Sequence, residues 1–403
     1  MTPPMQTLLL PRREILVARV GIGLWLLFNL VVLVLVWRDA GHNTVVGNYR
    51  AASAGWWAGN DIYGSGIDGF LYLPSFAFLY TPFWLLGDIG DVLWRLFSAG
   101  TLTYAIWQAI KLHVPGRVFE AFGVTLLLVL PAASAALRNG QATTLMVALM
   151  LLGSLAVADR RWWRAAALLT LAFAIKPLAI VLLLLVGALY RPIRGRLLLC
   201  ILIGLLLPFL HPDPAAAWHV YGLGFDKLLA SSQPSRQTWS DITGLLDHVG
   251  LALPAAAFLM LRVLTALLAL LAGYLALRRQ EGAIAALDLF ALAVCYLMLM
   301  NPRTEENTYI MLAVVLALFA VMLLDRRPGS WQGRLLIAFC IALGCHNFGN
   351  WIFRPTEYWL KPLVCLAFLP ILLDACLGRL FQRAALSDEL AASRVTPSGS
   401  SSP

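Results

Sequence analysis

Ionisable side chains interrupt two long apolar stretches of this 403-residue chain. Lys176 lies within LTLAFAIKPLAIVLLL, and Arg303, Glu305 and Glu306 lie within MNPRTEENTYIML. A charged group at membrane depth is costly and usually serves a function, such as binding an anion. A carboxylate beside an apolar wall holds a proton more tightly than one in water, which suits it to general base catalysis. Together these residues could bind an anionic leaving group and deprotonate a hydroxyl.

Each of these residues also has a plainer structural interpretation. Lys176 could lie at the end of a short helix and extend its ammonium group to the membrane surface. Arg303 could bind phosphate or carboxylate with its guanidinium fork, or it could pair with Glu305 or Glu306. The two glutamates could also be solvated charges of a turn. The sequence leaves these alternatives open.

Further acidic candidates precede the apolar stretches. Asp39, Asp61 and Asp68 compete with the two glutamates for the role of catalytic base. Each could equally be a loop residue or a helix cap. The candidate catalytic residues are therefore Glu305, Glu306, Asp39 and Asp61.

Polar residues in three segments could bind substrate. The RNGQ turn at 138–141 offers a guanidinium and two amides, although Asn and Gly also favour a simple tight turn. Aromatic and basic side chains of the first long polar segment add to this set. The substrate-binding candidates are Lys176, Arg138, Asn139, Gln141, Arg303, Tyr49, Arg50 and Tyr72.

The composition indicates that membrane-spanning helices position these residues. The chain is 60% hydrophobic and 13% charged, whereas soluble chains are about half apolar and about a quarter charged. An all-α, polytopic integral membrane protein is predicted. The net charge of +9 comes largely from arginines at the ends of apolar segments, which is the usual orientation signal rather than a sign of nucleic-acid binding.

Charge also predicts the topology. Arg12, Arg13 and Arg19 precede the first apolar run, which places the amino terminus in the cytoplasm of a multi-pass protein of the inner (plasma) membrane. The segments DRRWWR and RPIRGR are both basic, so both should be cytoplasmic. We therefore favour a hairpin of two half-length helices around Lys176 over one full span. This gives about twelve spans and places both termini inside.

One membrane domain at 1–385 and a disordered cytoplasmic tail at 386–403 are predicted, since the tail is polar and rich in small residues. Two aromatic segments, NYRAASAGWWAG and LPSFAFLYTPFWLL, are too short or too interrupted by proline to span the bilayer. They should form helices that lie in the membrane interface in the first outer loop.

Signatures of other chemistry do not occur in the sequence. It contains no GxxxxGK[ST] run, dinucleotide-binding glycine fingerprint, HExxH motif or GxSxG elbow. The six cysteines fall in or beside apolar runs without metal-site spacing, so we interpret them as buried apolar residues. No cofactor and no metal site are predicted.

The chain resembles glycosyltransferase family 87, the polyprenyl-phosphate-dependent mannosyltransferases of the GT-C fold. The first outer loop, with YRAASAGWWAGNDIYG and FLYLPSFAFLYTPFWLL, is similar to that of the family. NGQATTLMVALMLLG looks like the turn and helix of the family, and LAFAIKPLAIVLLLL looks like its lysine-proline hairpin. MNPRTEENTYIML occupies the place of its late outer motif.

This resemblance implies an outward-facing site that takes a sugar from a polyprenyl phosphate. It implies that Lys176 and Arg138 meet the donor phosphate. The family places its acidic base shortly before the Ala-rich helix, where this chain has Asn43 or Thr44 instead. The glutamates of the late motif stand near an Asp of the family, so the base has moved or the activity differs.

Two functions from different classes follow. The first is a hexosyltransferase that moves a hexose, mannose in the family, to a lipid or glycan acceptor on the extracytoplasmic face. The second is a non-catalytic carrier or flippase for a lipid-linked sugar, which needs the phosphate-binding cations but no base. An ion-coupled transporter would show inverted internal repeats, and no convincing repeat occurs.

Overall fold

The computed structural model describes residues 12–39, 41, 44–64, 69–232, 239–251, 253–280, 282–301 and 303–380. Within these ranges the chain forms α-helices, short 3-10 turns and connecting segments, and no β-strand. The predicted tail at 386–403, and the candidates Asn43 and Asp68, lie outside the described residues.

Seventeen α-helices occur in the described residues. They are α1 (Arg12–Arg38), α2 (Val46–Trp57), α3 (Pro74–Leu85), α4 (Gly87–His113), α5 (Val118–Asn139), α6 (Ala142–Ala158), α7 (Trp162–Ile175), α8 (Ile180–Leu189), α9 (Arg194–Leu206), α10 (Pro214–Ser232), α11 (Ile242–His248), α12 (Ala255–Arg279), α13 (Gly282–Met300), α14 (Ile310–Arg326), α15 (Trp331–Leu343), α16 (Asn350–Thr356) and α17 (Leu360–Cys376).

Three helices form the centre of the bundle. Nearly every residue of α6, α13 and α14 is buried, as expected for helices that are apolar on all sides. By contrast, α1, α9 and α12 leave long apolar faces exposed. An exposed apolar face of this length fits contact with lipid, so these helices belong to the periphery of a membrane protein.

Fewer helices are long and apolar enough to cross a membrane than the sequence predicted. Six of the described helices are long and apolar enough to cross a membrane, or eight if each of two bent pairs counts as one span. Four shorter apolar helices, α6, α7, the segment 177–189 and α15, complete the set. The all-α membrane class is therefore confirmed, while the count of about twelve spans and the GT-C arrangement stay predictions.

The segment around Lys176 is a hairpin, as the charge pattern predicts. Helix α7 has 14 residues and α8 has 10, which gives about 21 Å and 15 Å, and a bilayer core is about 30 Å thick. The rings of Trp162, where α7 begins, and Tyr190, just after α8, have centroids 5.8 Å apart. The chain therefore folds back on itself, and Lys176 lies at the tip.

Helices α1 and α5 approach each other closely through glycines. A Cβ atom on Gly21 would lie 2.1 Å from the Gly123 carbonyl oxygen, and one on Gly123 would lie 2.5 Å from the Ala18 Cα. Small residues at a helix crossing let two backbones pack tightly, which is a common means of association in membranes. This contact fixes α5, whose carboxyl end carries the RNGQ turn.

The first long loop contains two short helices, α2 and α3, at the two segments where interfacial helices are predicted. They pack together through an aromatic cluster in which the Tyr49 ring contacts the rings of Tyr72, Phe76 and Trp94 at centroid distances of 5.3, 5.0 and 6.0 Å. Aromatic pairs of this kind contribute beyond their buried area. The cluster therefore holds the first loop against α4.

The segment between α9 and α12, here called the second long loop, also contains helices in its described part, which the sequence did not indicate. Helix α10 begins at Pro214, and proline is well suited to the first turn of a helix. Its Lys227 is 5% exposed and donates a hydrogen bond from Nζ to the Tyr63 carbonyl at 3.0 Å. The two long loops therefore pack against each other and close one end of the bundle.

Candidate functional site

A cavity of about 270 Å³ lies where the two long loops meet the hairpin tip. The first loop contributes Tyr49 and Tyr72, and α10 contributes Ser231. The hairpin tip contributes Lys176, and the turn before α6 contributes Gln141. The segment between α13 and α14 contributes Asn301, Arg303, Glu305 and Thr308.

Lys176 reaches the cavity because the helix stops there. Its backbone is extended, and Pro177 cannot continue α7 since it lacks an N–H and constrains the residue before it. The ammonium Nζ donates to Thr143 Oγ1 at 2.8 Å and lies 5.9 Å from the centroid of the Tyr72 ring. An ammonium group has three donors, so Lys176 retains hydrogen-bonding capacity for an anion.

Gln141 and Glu305 face each other across the cavity wall. The Gln141 side chain is 4% exposed, and its Nε2 donates to Glu305 Oε2 at 3.4 Å. Gln141 is presented by Gly140, which ends α5 in the left-handed region at φ +67°. A side chain at Gly140 would lie 2.5 Å from Val46 Cγ2, so this turn requires glycine.

Helix α4 also holds the RNGQ turn in place. Trp94 Nε1 donates to the Gly140 carbonyl at 2.8 Å. Arg95 is 4% exposed and donates from Nε to the Arg138 carbonyl at 3.3 Å and from Nη2 to Thr44 Oγ1 at 2.7 Å. Buried carbonyl oxygens need such partners. Neither α4 residue was among the sequence candidates, although both position Gln141.

Tyr49 and Tyr72 form a hydrogen-bonded pair in the aromatic cluster. Their hydroxyl oxygens are 2.8 Å apart, and Tyr49 Oη also accepts a hydrogen bond from the Ala142 backbone N–H at 3.2 Å. Burial raises the pKa of Tyr49 to about 12 and that of Tyr72 well above 10.0. Both phenols are therefore neutral at physiological pH, so they can donate hydrogen bonds but cannot act as bases.

Arg303 lines the cavity beside an aromatic ring. Its guanidinium carbon is 4.8 Å from the centroid of the Trp239 ring, which is a favourable cation–π distance. The planar N–H donors of a guanidinium match the oxygen atoms of phosphate and carboxylate groups. Lys176, Arg303 and Glu305 are the charged groups that line the cavity.

Glu306 lies in different surroundings, although it follows Glu305 directly. Its Oε2 is 3.9 Å from Nζ of Lys361, and the Lys361 side chain is 1% exposed. Glu306 does not line the cavity. The structure therefore separates the two glutamates and brings only Glu305 together with Lys176.

Three substrate-binding candidates lie outside the cavity lining. Arg138 is exposed, and Asn139 offers its carbonyl to the Thr44 hydroxyl at 3.2 Å. Arg50 pairs with Asp88 at 2.8 Å and with Asp91 at 3.2 Å. The geometry gives these residues contacts within the protein that stabilise the loop and turn around the site.

The two described aspartates from the first loop also lie away from the cavity. The Asp39 carboxylate accepts from the Gly41 N–H at 3.2 Å, and the Asp61 carboxylate accepts from the Tyr63 N–H at 2.8 Å. Both contacts are typical of local turns. Thr44, which with Asn43 is one of the two residues where the resemblance implies the family's base, accepts a hydrogen bond from Arg95 at 2.7 Å.

Several residues that line the cavity, or that hold Lys176 as Thr143 does, were not recognised from the sequence. Thr143 has a weak signal, since it follows Gln141 by two positions, and Thr308 lies within the polar stretch at 300–312. Ser231 has no signal, because it reaches the cavity only through the packing of α10. Among the described residues no group of three or more His, Cys, Asp or Glu side chains is arranged to hold a metal ion.

Comparison with known families agrees with the motifs. A family model described as Glycosyltransferase family 87 matches residues 70–302, which is more than half of the chain. The chain belongs to glycosyltransferase family 87. A search of curated proteins found no match. Membership of family 87 confirms the resemblance and assigns the protein to the glycosyltransferases.

The family match covers one part of the cavity. Tyr72, Gln141, Lys176 and Asn301 lie within the matched range of family 87, whereas Glu305 lies just beyond it. The cation at the hairpin tip is therefore in the shared region. The carboxylate comes from the adjoining segment, which reads RTEE.

Proposed function

We propose that the protein transfers a hexose, mannose in the first instance, from a polyprenyl-phosphate sugar to a lipid or glycan acceptor on the extracytoplasmic face of the inner membrane. One observation carries this proposal. A single cavity contains a lysine, an arginine and a carboxylate, namely Lys176, Arg303 and Glu305. A glycosyltransferase needs positive charge for the leaving phosphate and a base for the acceptor.

The proposed reaction is a direct displacement at the anomeric carbon. Glu305 accepts the proton of the acceptor hydroxyl as the acceptor oxygen forms a bond to that carbon. The bond from the anomeric carbon to the phosphate oxygen breaks, and its electron pair goes to the polyprenyl phosphate. Lys176 and Arg303 stabilise the negative charge that develops on this phosphate. The anomeric configuration is inverted.

The surrounding residues support these roles by fixing orientation. Gln141 donates to one carboxylate oxygen of Glu305 at 3.4 Å, which leaves the second oxygen for the acceptor hydroxyl. Thr143 holds Lys176 Nζ at 2.8 Å. The neutral hydroxyl of Tyr72 can donate to sugar or phosphate oxygens. Groups that are already held in place need little reorganisation during the reaction.

The proposed transfer can be separated from the alternative carrier function in one assay. Purified protein is reconstituted in vesicles with radiolabelled polyprenyl-phosphate mannose and a membrane lipid extract as acceptor. We expect label to appear in a product that no longer carries the polyprenyl phosphate, with released polyprenyl phosphate in equal amount. Movement of label across the bilayer, with the donor recovered unchanged, would instead support a carrier. Polyprenyl-phosphate glucose in a parallel reaction tests the preference for mannose.

A further inference from the structure

A second polar cavity lies at the opposite ends of the helices that form the first site. The first site uses the start of α6 and the end of α7, whereas this cavity is lined by the end of α6 and the start of α7, together with the end of α4. Its volume is about 300 Å³. Nothing in the proposed transfer reaction uses it.

Basic side chains from separate helices converge on this cavity. Lys111 comes from the last turn of α4, and Arg161 and Arg164 come from the start of α7. Asp159 is the acidic residue in the lining and lies 3.7 Å from Arg161. Among the described residues Lys111 and Arg164 form no ion pair with a carboxylate. The cavity thus has an excess of positive charge.

The floor and flanks of the cavity are apolar. Leu152 and Ala156 of α6 are buried beneath it. On the flanks, Tyr104 of α4 is 47% exposed and Leu171 of α7 is 38% exposed. Because α4 and α7 both pack against α6, these exposed side chains lie on the two helices that flank the basic cavity. A cationic site bordered by exposed apolar side chains matches the chemistry of a lipid with an anionic headgroup.

We propose that this cavity binds the headgroup of an anionic phospholipid, with Lys111 and Arg164 on the phosphate and the acyl chains along the exposed faces of α4 and α7. Basic pockets between membrane helices are suited to this class of ligand. The Gln108 amide and the Tyr104 hydroxyl, both in the lining, can donate to headgroup oxygens. Basic residues of membrane proteins are generally enriched on one membrane face. That bias explains why Lys111, Arg161 and Arg164 lie at the same end of the bundle, but it does not explain why they line one cavity.

The test measures lipid binding to purified full-length protein in neutral detergent by native mass spectrometry and by thermal unfolding. The probes are phosphatidylglycerol, phosphatidylcholine and inorganic phosphate. The test variant is Lys111→Gln with Arg164→Gln, and the matched control is Arg160→Gln, because Arg160 is basic and adjacent but does not line the cavity. We expect phosphatidylglycerol to bind and to raise the unfolding temperature of the wild type and of Arg160→Gln.

The double variant should bind phosphatidylglycerol about thirtyfold more weakly, since each basic side chain near an anionic lipid contributes a factor of about five. Unchanged affinity in the double variant, or equal binding of phosphatidylcholine, would overturn the proposal. Stabilisation by inorganic phosphate alone would show an anion site without lipid selectivity, and would also overturn it. If the double variant is not recovered folded, the two single variants serve as the test. Each should bind phosphatidylglycerol about fivefold more weakly than the wild type.

Discussion

Glu305 and Glu306 are adjacent in the chain, yet their carboxylates lie in separate environments. Glu305 accepts a hydrogen bond from Gln141 at the cavity wall, while Glu306 lies 3.9 Å from the buried ammonium of Lys361. The backbone is extended at Glu305 and enters a 3-10 turn at Glu306, so successive side chains point in different directions. One glutamate can therefore meet a substrate while its neighbour pairs with the protein.

Glu305→Gln should abolish most transferase activity, whereas Glu306→Gln should not. Loss of a general base typically slows a reaction by a factor of about 100 to 10,000. We therefore expect kcat for sugar transfer to fall at least about 100-fold in Glu305→Gln and to change far less in Glu306→Gln. The measurement is initial rate with radiolabelled donor, alongside the unfolding temperature of each variant. Full activity of Glu305→Gln would remove this residue from the catalytic role.

Lys176→Met should weaken use of the polyprenyl-phosphate donor. A hydrogen bond to a charged group contributes about 1.5–3 kcal/mol, which corresponds to about a 10- to 150-fold loss in kcat/KM for the donor. Thr143→Val removes the hydroxyl that orients Nζ but keeps the charge, so its loss should be smaller. Initial rates at varied donor concentration give kcat/KM for both variants. An equal loss in the two variants would indicate that Thr143 and not the charge of Lys176 is decisive.

Tyr49→Phe should destabilise the protein at neutral pH. The substitution removes the acceptor of the buried Ala142 N–H, and an unsatisfied buried group costs about 1–3 kcal/mol. Tyr72→Phe keeps that acceptor and should therefore cost less. Unfolding by heat or denaturant in detergent compares the two variants. A larger loss in Tyr72→Phe would contradict the assigned hydrogen bonding.

The same tyrosine predicts a loss of stability at alkaline pH. Burial raises the pKa of Tyr49 from 10.0 to about 12. Because the folded value is the higher one, the stabilising contribution of the neutral phenol is complete below pH 10 and is lost as pH rises through about 12. Between these two pH values the free energy of unfolding of the wild type should fall with rising pH more steeply than that of Tyr49→Phe. The two slopes should differ by about 1.4 kcal/mol per pH unit. If the free energy of unfolding changes equally with pH in the wild type and in Tyr49→Phe, the prediction is wrong.

Arg95→Met should destabilise the protein far more than Arg138→Gln, although both residues border the same turn. Arg95 is buried and donates to the Arg138 carbonyl, the Asp91 carbonyl and the Thr44 hydroxyl. Loss of these charged donors should cost about 2 kcal/mol or more. The exposed side chain of Arg138 should change the free energy of unfolding by no more than about 0.5 kcal/mol. Activity of Arg138→Gln also tests whether this residue contacts the donor phosphate.

The sequence predicted features that leave a strong local signal. Lys176 stands out because a cation in an apolar run is costly, and the hairpin follows from the basic segments on either side of it. The close ring contact between Trp162 and Tyr190 confirms this fold-back. Charge and hydropathy are sufficient here because the membrane imposes few possible solutions on a short apolar helix.

The choice between the two glutamates could not be predicted, because distant contacts fix the turn that carries them. Ser240 donates from its backbone N–H to the Thr304 carbonyl at 3.1 Å, and the Tyr309 hydroxyl donates to the Ser240 carbonyl at 2.9 Å. Ser240, the partner in both hydrogen bonds, is far from Glu305 in sequence. For the same reason Arg95, which holds the RNGQ turn from another helix, carries no sequence signal of its role.

The hairpin of α7 and α8 has a mechanical consequence. Because both of its ends lie together, as the contact of Trp162 with Tyr190 shows, the hairpin carries Lys176 at its tip and Arg161 and Arg164 beside its base. The Thr143 hydroxyl holds the ammonium group at the tip, and α7 packs against α6 between tip and base. The position of Lys176 is therefore fixed by contacts with α6 and not by the short hairpin alone.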